Sequence, residues 1–263
     1  MSQPDKHISF LVAMPRSGNT IFGSLMNQNP DVAVTGNSIT LGIMKDIWLL
    51  KKTDVFQNYP DHHSLDNVLN KVFDNYYKDW PQKYIIDRNP VTTKGNLFLM
   101  NNYFKKPIKC IVLLRDLVDV IASWIKYTVK YPDNYIKNGS KNLDEALKKL
   151  MLDSGQIARN LKAIHHLLLP ENRHMACFIK YDDLVRNPKE QINKVYDFLG
   201  LSKFQHDYVN LSQFKLNGLT YDDDNVLGKG VHTIRTDGIY KEENEYKKLI
   251  PEWFINNYGH IKF

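Results

Sequence analysis

Cysteine is nearly absent: Cys110 and Cys177 are the only two in 263 residues. Each falls in an apolar stretch that reads as a buried strand, so the expectation is a pair of reduced core thiols. A secreted chain of this length would more often carry a disulfide set. Long apolar runs are absent too, and none approaches the ~20 residues that a membrane-spanning helix needs. The apolar stretch from Ile8 to Met14 is too short for a signal peptide and lacks a small-residue cleavage site. Together these absences imply a soluble, cytoplasmic protein with no membrane span. A concentrated basic stripe is also missing, although 35 Lys and Arg against 29 Asp and Glu leave a net charge of +6. That mild excess suits a small anionic partner and not nucleic acid. There is no internal repeat and no low-complexity linker. No metal is expected, because the His62-His63 pair has no third ligand at suitable spacing.

What is present points to a single α/β domain over residues 1–263, with a helical lobe at about 38–80. Hydrophobic residues make up 43% of the chain, enough for a sizeable core. Short apolar strands end at Met14, Asp87, Leu114 and Ile179, and lack the alternation of a half-exposed sheet. Helical patterns separate them. Residues 38–51 carry a stripe of Ile39, Ile43, Ile47 and Leu50. Residues 52–63 look irregular, and 65–79 keep a helical period behind Ser64 as a cap. Further helices are expected over 96–104, 117–131 and 143–169, the last stopped by Pro170, and from Pro188 to Leu199, ended by Gly200. Such alternation implies a parallel sheet covered by helices on both faces, with ligands beyond the carboxyl ends of the strands.

The most informative of those ends is the first. Pro15-Arg16-Ser17-Gly18-Asn19-Thr20 follows a buried strand and opens a helix. A glycine-containing turn there aims free main-chain N–H groups at one point, and the helix dipole adds positive potential. Arg16 contributes a permanently charged donor fork, and Ser17, Asn19 and Thr20 short side-chain donors. A phosphate-like guest is the expectation.

These residues resemble the sulfotransferases that use 3′-phosphoadenosine-5′-phosphosulfate (PAPS) and release 3′-phosphoadenosine-5′-phosphate (PAP). Their 5′-phosphosulfate loop is usually Pro-Lys/Arg-Ser-Gly-Thr-Thr; Asn19 stands at the first Thr and can still donate a hydrogen bond. Arg115 at a strand end, with Ser123 on the next helix, resembles their 3′-phosphate motif. Eight residues are a little over two helical turns, which returns the Ser to the face near the Arg. The resemblance implies a P-loop-like parallel sheet flanked by helices. Within the family the chain is most similar to the tyrosylprotein sulfotransferases and related bacterial or viral enzymes. Asn29-Pro30-Asp31-Val32 is similar to their His-Pro-acidic-Val turn. Arg88-Asn89-Pro90-Val91-Thr92-Thr93-Lys94 is similar to their Lys-Asp-Pro-Phe-Thr-Leu-Lys, which implies Lys94 as the catalytic lysine. Tyr181-Asp182-Asp183-Leu184 resembles the segment whose Tyr lies on the adenine. Thr236-Asp237-Gly238-Ile239-Tyr240-Lys241 resembles a late segment whose Lys reaches a cofactor phosphate, with Lys229-Gly230 as a rival match.

One departure bears on mechanism. That branch carries a catalytic Glu in a Gly-Glu-Glu, where this chain has Gly36-Asn37-Ser38. The base is then sought among His62, His63, Asp87 and His232. The implied reaction moves a sulfuryl group to a hydroxyl or amine acceptor, which could be a small molecule, a glycan or a tyrosine peptide. Arg16 and Lys94 would stabilise the leaving phosphate. Two rivals stay open: a P-loop nucleotide-dependent kinase, although the spaced Gly-x-x-x-x-Gly-Lys-Ser/Thr form is absent, and a non-catalytic module that binds PAP or PAPS.

Overall fold

The computed structural model describes residues 6–131, 139–220, 233–234, 238–241 and 245–263. Strand β1 (His7–Ala13) runs through the middle of the sheet, and every residue after His7 in it is buried. Around it lie β2 (Val32–Val34), β3 (Tyr84–Arg88), β4 (Cys110–Leu114) and β5 (Ala176–Lys180), in the order β2-β3-β1-β4-β5. Neighbours pair in parallel throughout; Phe10, for example, sits beside both Asp87 of β3 and Cys110 of β4. Alternation along β1 feeds two cores. Phe10 and Val12 point into one, Leu11 and Ala13 into the other. Cys110 and Cys177 are both free and buried, and burial pushes the Cys177 thiol up to about 11.

Helices make each crossover. After β1, α1 (Asn19–Met26) packs Phe22, Leu25 and Met26 into the second core. Between β2 and β3 come α2 (Thr40–Leu50), α3 (Asp54–Asn58), α4 (His62–Asn70) and α5 (Val72–Tyr76). Helix α6 (Lys94–Tyr103) leads to β4. Helices α7 (Leu117–Lys130), α8 (Leu143–Met151) and α9 (Gln156–Leu168) lead to β5. Then α10 (Tyr181–Arg186) and α11 (Pro188–Leu199) cover the second core, and α12 (Glu252–Tyr258) packs on the first. The amphipathic α7 buries Val120, Ile121, Trp124 and Ile125. Full burial of such a side chain stabilises by about 1.5–3 kcal/mol, which makes α7 a firm platform for its polar face. The chain leaves β1 for the β2 edge, returns through β3, and then steps across β1 to β4. The connections after β1 and β4 therefore diverge over one crevice, the place where open α/β sheets bind ligands.

Several local expectations change. Val32–Val34 is a fifth strand, paired with β3. The 52–63 stretch is helical in part: α3 fills 54–58 behind Thr53 as its cap, and Asp61 takes the next capping position and accepts a hydrogen bond from Ser64 N at 2.9 Å. That starts α4 at His62, three residues before the expected Leu65, and Ser64 is not its cap. The helix expected over 65–79 breaks at Lys71, whose φ is −111°. The one expected over 143–169 breaks into α8 and α9 just before Gly155, where a Cβ would lie 2.3 Å from the Leu150 carbonyl oxygen. Helix α2 buries Leu41 and Met44 and packs half-buried Ile43 and Ile47 of the expected stripe on the first core, whereas Leu50 and Ile39, which precedes the first turn and is 61% exposed, lie outside it.

Candidate active site

The turn after β1 holds an unusual backbone. Arg16 has φ +65° and Gly18 φ +88°. A left-handed conformation costs a non-glycine residue about 1–2 kcal/mol, and at Arg16 three contacts hold it. The Arg115 guanidinium donates to the Arg16 carbonyl. Arg16 Nε donates to Ser123 Oγ at 3.2 Å, and the Arg16 guanidinium lies 4.2 Å from the Tyr127 ring centroid. Gly18 is required twice, by its φ and because a Cβ would sit 2.9 Å from Cδ2 of Tyr181. Asn19 Nδ2 donates to the Met14 carbonyl at 2.9 Å, which ties the start of α1 to the end of β1. Among the described residues, Ser17 Oγ has no hydrogen-bond partner and is buried, as is Asn19 Oδ1.

Arg115 leaves the end of β4 beside this turn. Its guanidinium stacks 4.2 Å over the Tyr181 ring, and its buried Nε has no partner among the described residues. Burial lowers its pKa, although its ordinary value is so high that the charge stays. Ser123 stands on α7 two turns further on and meets Arg16, so the spacing of Arg115 and Ser123 does bring β4 and α7 to one point. Arg16, Gly18, Asn19, Thr20, Arg115, Ser123 and Tyr181 line a single cleft with roughly 1030 Å³ of atom-free space, solvent at its mouth included. Lys126, Tyr127 and Tyr240 line it as well and were missed in the sequence. The signal for the first two was available: they stand three and four residues after Ser123 and so share its helix face. Tyr240 belongs to the late segment singled out for Lys241, so the sequence pointed to the segment and not to this residue.

The remaining site residues lie elsewhere. Lys241 is outside the cleft lining and pairs with Asp182, next to Tyr181, at 2.7 Å. Lys229, Gly230 and His232 fall outside the described residues. Lys94 opens α6 after β3, is exposed, and its ammonium pairs with no described residue. His62 and His63 are exposed on the first turn of α4, His62 edge-on to Phe56 at 5.0 Å. Asp87 is fully buried in β3, and Arg88 donates from Nη1 to the Gly36 carbonyl at 2.7 Å. Among the described residues no group of three His, Cys, Asp or Glu is placed to hold a metal. No described helix is long and apolar enough to cross a membrane.

A basic cleft at the carboxyl edge of a parallel sheet, built on a strand–turn–helix unit, defines an α/β protein of nucleotide-binding type. The family is narrower than that class. Residues 6–219 match the model of the sulfotransferase domain, and the chain belongs to that family. Among solved structures, a mouse sulfotransferase complexed with PAP gives a TM-score of 0.53 at 12% identity, over 99% of this chain and 84% of that one. A sulfotransferase from Alicyclobacillus acidocaldarius gives 0.50 at 14% identity, over 79% and 85%. At such identities the likeness is one of fold. No curated protein sequence matches the chain.

Proposed function

We propose that this sulfotransferase takes its sulfuryl group from PAPS and passes it to a hydroxyl acceptor in the cytoplasm. One observation carries the donor assignment. Ser17 Oγ, next to Arg16 in the turn, and Arg115 Nε, on a cleft-lining residue, are buried donors that no acceptor among the described residues satisfies. Leaving such donors unpaired costs about 1–3 kcal/mol each, and phosphate oxygens would satisfy both.

On this reading the α1 amino end, with Ser17, Gly18, Asn19 and Thr20, holds the 5′-phosphosulfate. Arg115 and Ser123 hold the 3′-phosphate, with Lys126 as a further cation, and Tyr181 meets the adenine. Lys241 reaches a phosphate by exchanging its Asp182 partner; Lys229-Gly230 is the rival segment. When bound, the donor supplies an activated sulfuryl group. Transfer of this kind depends on positioning and charge stabilisation. Arg16 and Lys94 provide the positive charge for the bridging oxygen as its bond to sulfur breaks. His62 and His63 remain candidates to activate the acceptor only if α4 approaches the turn.

Calorimetry with PAP, AMP and magnesium-ATP, together with transfer of radiolabelled sulfate to a panel of phenols, alcohols and amines, tests the proposal. Expected are tighter binding of PAP than of AMP, and transfer to at least one acceptor. Tighter binding of magnesium-ATP than of PAP would replace the reading with a kinase. Tight PAP binding without transfer to any acceptor would leave a binding module.

A further inference from the structure

Among the described residues, Asp87 is the only acidic side chain in the core. Its Oδ2 accepts from Ser38 Oγ at 2.7 Å, from Thr40 Oγ1 at 2.9 Å and from the Tyr77 hydroxyl, and its Oδ1 from Asn89 Nδ2. Donors on both oxygens are the setting of an ionised carboxylate. Thr40, Tyr77 and Asn89 are buried, whereas Ser38 is half-buried between the exposed Asn37 and Ile39. Within the cluster, therefore, Ser38 alone leads from the carboxylate to the surface. Its Oγ gives its proton to Asp87 and accepts from Thr40 N at 3.3 Å. A hydroxyl oxygen has two lone pairs, so a further donor can be received.

The place of this pair in the sheet matters as much as its chemistry. Ser38 follows β2 and Asp87 is the penultimate residue of β3, so both stand toward the carboxyl edge. Arg115 and Ser123 lie across β1 from them, because the order is β2-β3-β1-β4-β5. With the nucleotide on the β4 side, in-line displacement at the β1 turn brings the incoming group from the opposite side. That side is formed by the ends of β3 and β2.

We propose that Ser38 and Asp87 form the proton relay that activates the acceptor hydroxyl, an inference that rests on the sulfotransferase reading above. The acceptor oxygen bonds to sulfur while the bond from sulfur to the bridging oxygen breaks, and that electron pair leaves on the 5′-phosphate of PAP. The acceptor proton passes to Ser38 Oγ as the Ser38 proton passes to Asp87 Oδ2. Water then removes it along the same path. Ser38 is the catalytic residue of the pair. Asp87 acts through it as a positioning residue that directs the Ser38 hydroxyl and stores the proton. Burial pushes the Asp87 carboxyl above the usual carboxylate range, which strengthens it as a base.

The cluster also stitches β3 to α2 and α5, so the test must separate relay from scaffold. Two phenols do this. At pH 8, 4-nitrophenol is already ionised and needs no base, whereas 4-methylphenol does. Ser38→Ala should lower turnover of 4-methylphenol by ~10²-fold, the scale of general-base catalysis, and that of 4-nitrophenol by under about threefold. Ser38→Thr, which keeps the hydroxyl, should restore the 4-methylphenol rate. Equal losses on both phenols overturn the relay. An infrared difference spectrum of wild type against Asp87→Asn gives a readout without turnover. An ionised carboxylate is expected, its band shifted in Ser38→Ala; a neutral acid at pH 8 overturns the relay. Should Asp87→Asn not fold, Ser38→Ala alone reports the band. Calorimetry with PAP separates the two levels of inference. Absence of PAP binding overturns the underlying reading. PAP binding without transfer to either phenol overturns the relay and leaves the nucleotide site standing.

Discussion

The two halves of the sheet's carboxyl edge are built differently. On the β1–β4 half, cations dominate: Arg16, Arg115 and Lys126 share one cleft with two tyrosine rings against the arginines. Its polar atoms are incompletely satisfied, with Ser17 Oγ and Arg115 Nε unpartnered among the described residues. On the β2–β3 half the chemistry is internally satisfied, since every donor around Asp87 already has its acceptor. One half has donors without acceptors, and the other surrounds a carboxyl group with donors. A transferase that handles a charged donor and a neutral acceptor needs that asymmetry, because cations bind the donor while a base must stay away from the donor's charge.

The sharpest way to break this comparison is to remove the cation at the β4 end. Arg115→Ala should weaken PAP binding by about 1.5–3 kcal/mol, the scale of hydrogen bonds to a charged group. Because Arg115 also donates to the Arg16 carbonyl, part of the loss would arise from a looser turn. Circular dichroism should show an unchanged fold, and calorimetry an affinity lower by at least tenfold. Unchanged affinity would mean that the 3′-phosphate is held elsewhere.

Gly18→Ala probes the turn itself. With φ +88° the substitution costs about 1–2 kcal/mol in backbone strain alone. Its Cβ would also press on the Tyr181 ring at 2.9 Å. Denaturant unfolding should show that loss of stability, with weaker PAP binding as Tyr181 moves. Equal stability of the two proteins would show that the turn relaxes freely and is not a preformed cradle.

Lys126→Ala should have a smaller and more selective effect. Lys126 is half-exposed on the Ser123 face of α7, so solvent screens its charge, and about a three- to tenfold loss of PAP affinity is expected. AMP, which lacks the 3′-phosphate, should bind the variant as it binds the wild type. A parallel loss for both nucleotides would move Lys126 from the 3′-phosphate to general steering.

The same asymmetry explains what could be read from the chain. The β1 turn was legible as a strand–turn–helix unit because its three parts are contiguous. Arg115 and Ser123 were legible because a strand end and one helix carry both. Sheet class followed from four apolar runs without alternation, and the three-residue β2 was too short to announce itself. The α4 boundary was misjudged because Asp61 competes with Ser64 for the cap, and a carboxylate three residues upstream is the better acceptor. The Asp87 cluster was the least legible. Its members come from residues 38, 40, 77, 87 and 89, and only the packing of α2 and α5 on β3 joins them.

The weakest expected effect concerns His62 and His63. Both are exposed on the first turn of α4, and neither lines the cleft. Asp61 caps that turn through Ser64 N and not through an imidazole, so the helix does not depend on either ring. His62 meets Phe56 edge-on, a contact worth about 0.5–1.5 kcal/mol where both rings are enclosed and less on an open surface. The double variant His62→Ala, His63→Ala should therefore keep PAP affinity and turnover of both phenols within about twofold, in line with surface substitutions of ±0.5 kcal/mol. A selective fall with 4-methylphenol, and none with 4-nitrophenol, would instead bring α4 over the acceptor and transfer the base from the buried carboxylate to an exposed imidazole. Because the relay and the histidines predict opposite results for the same pair of phenols, one set of rates decides between them.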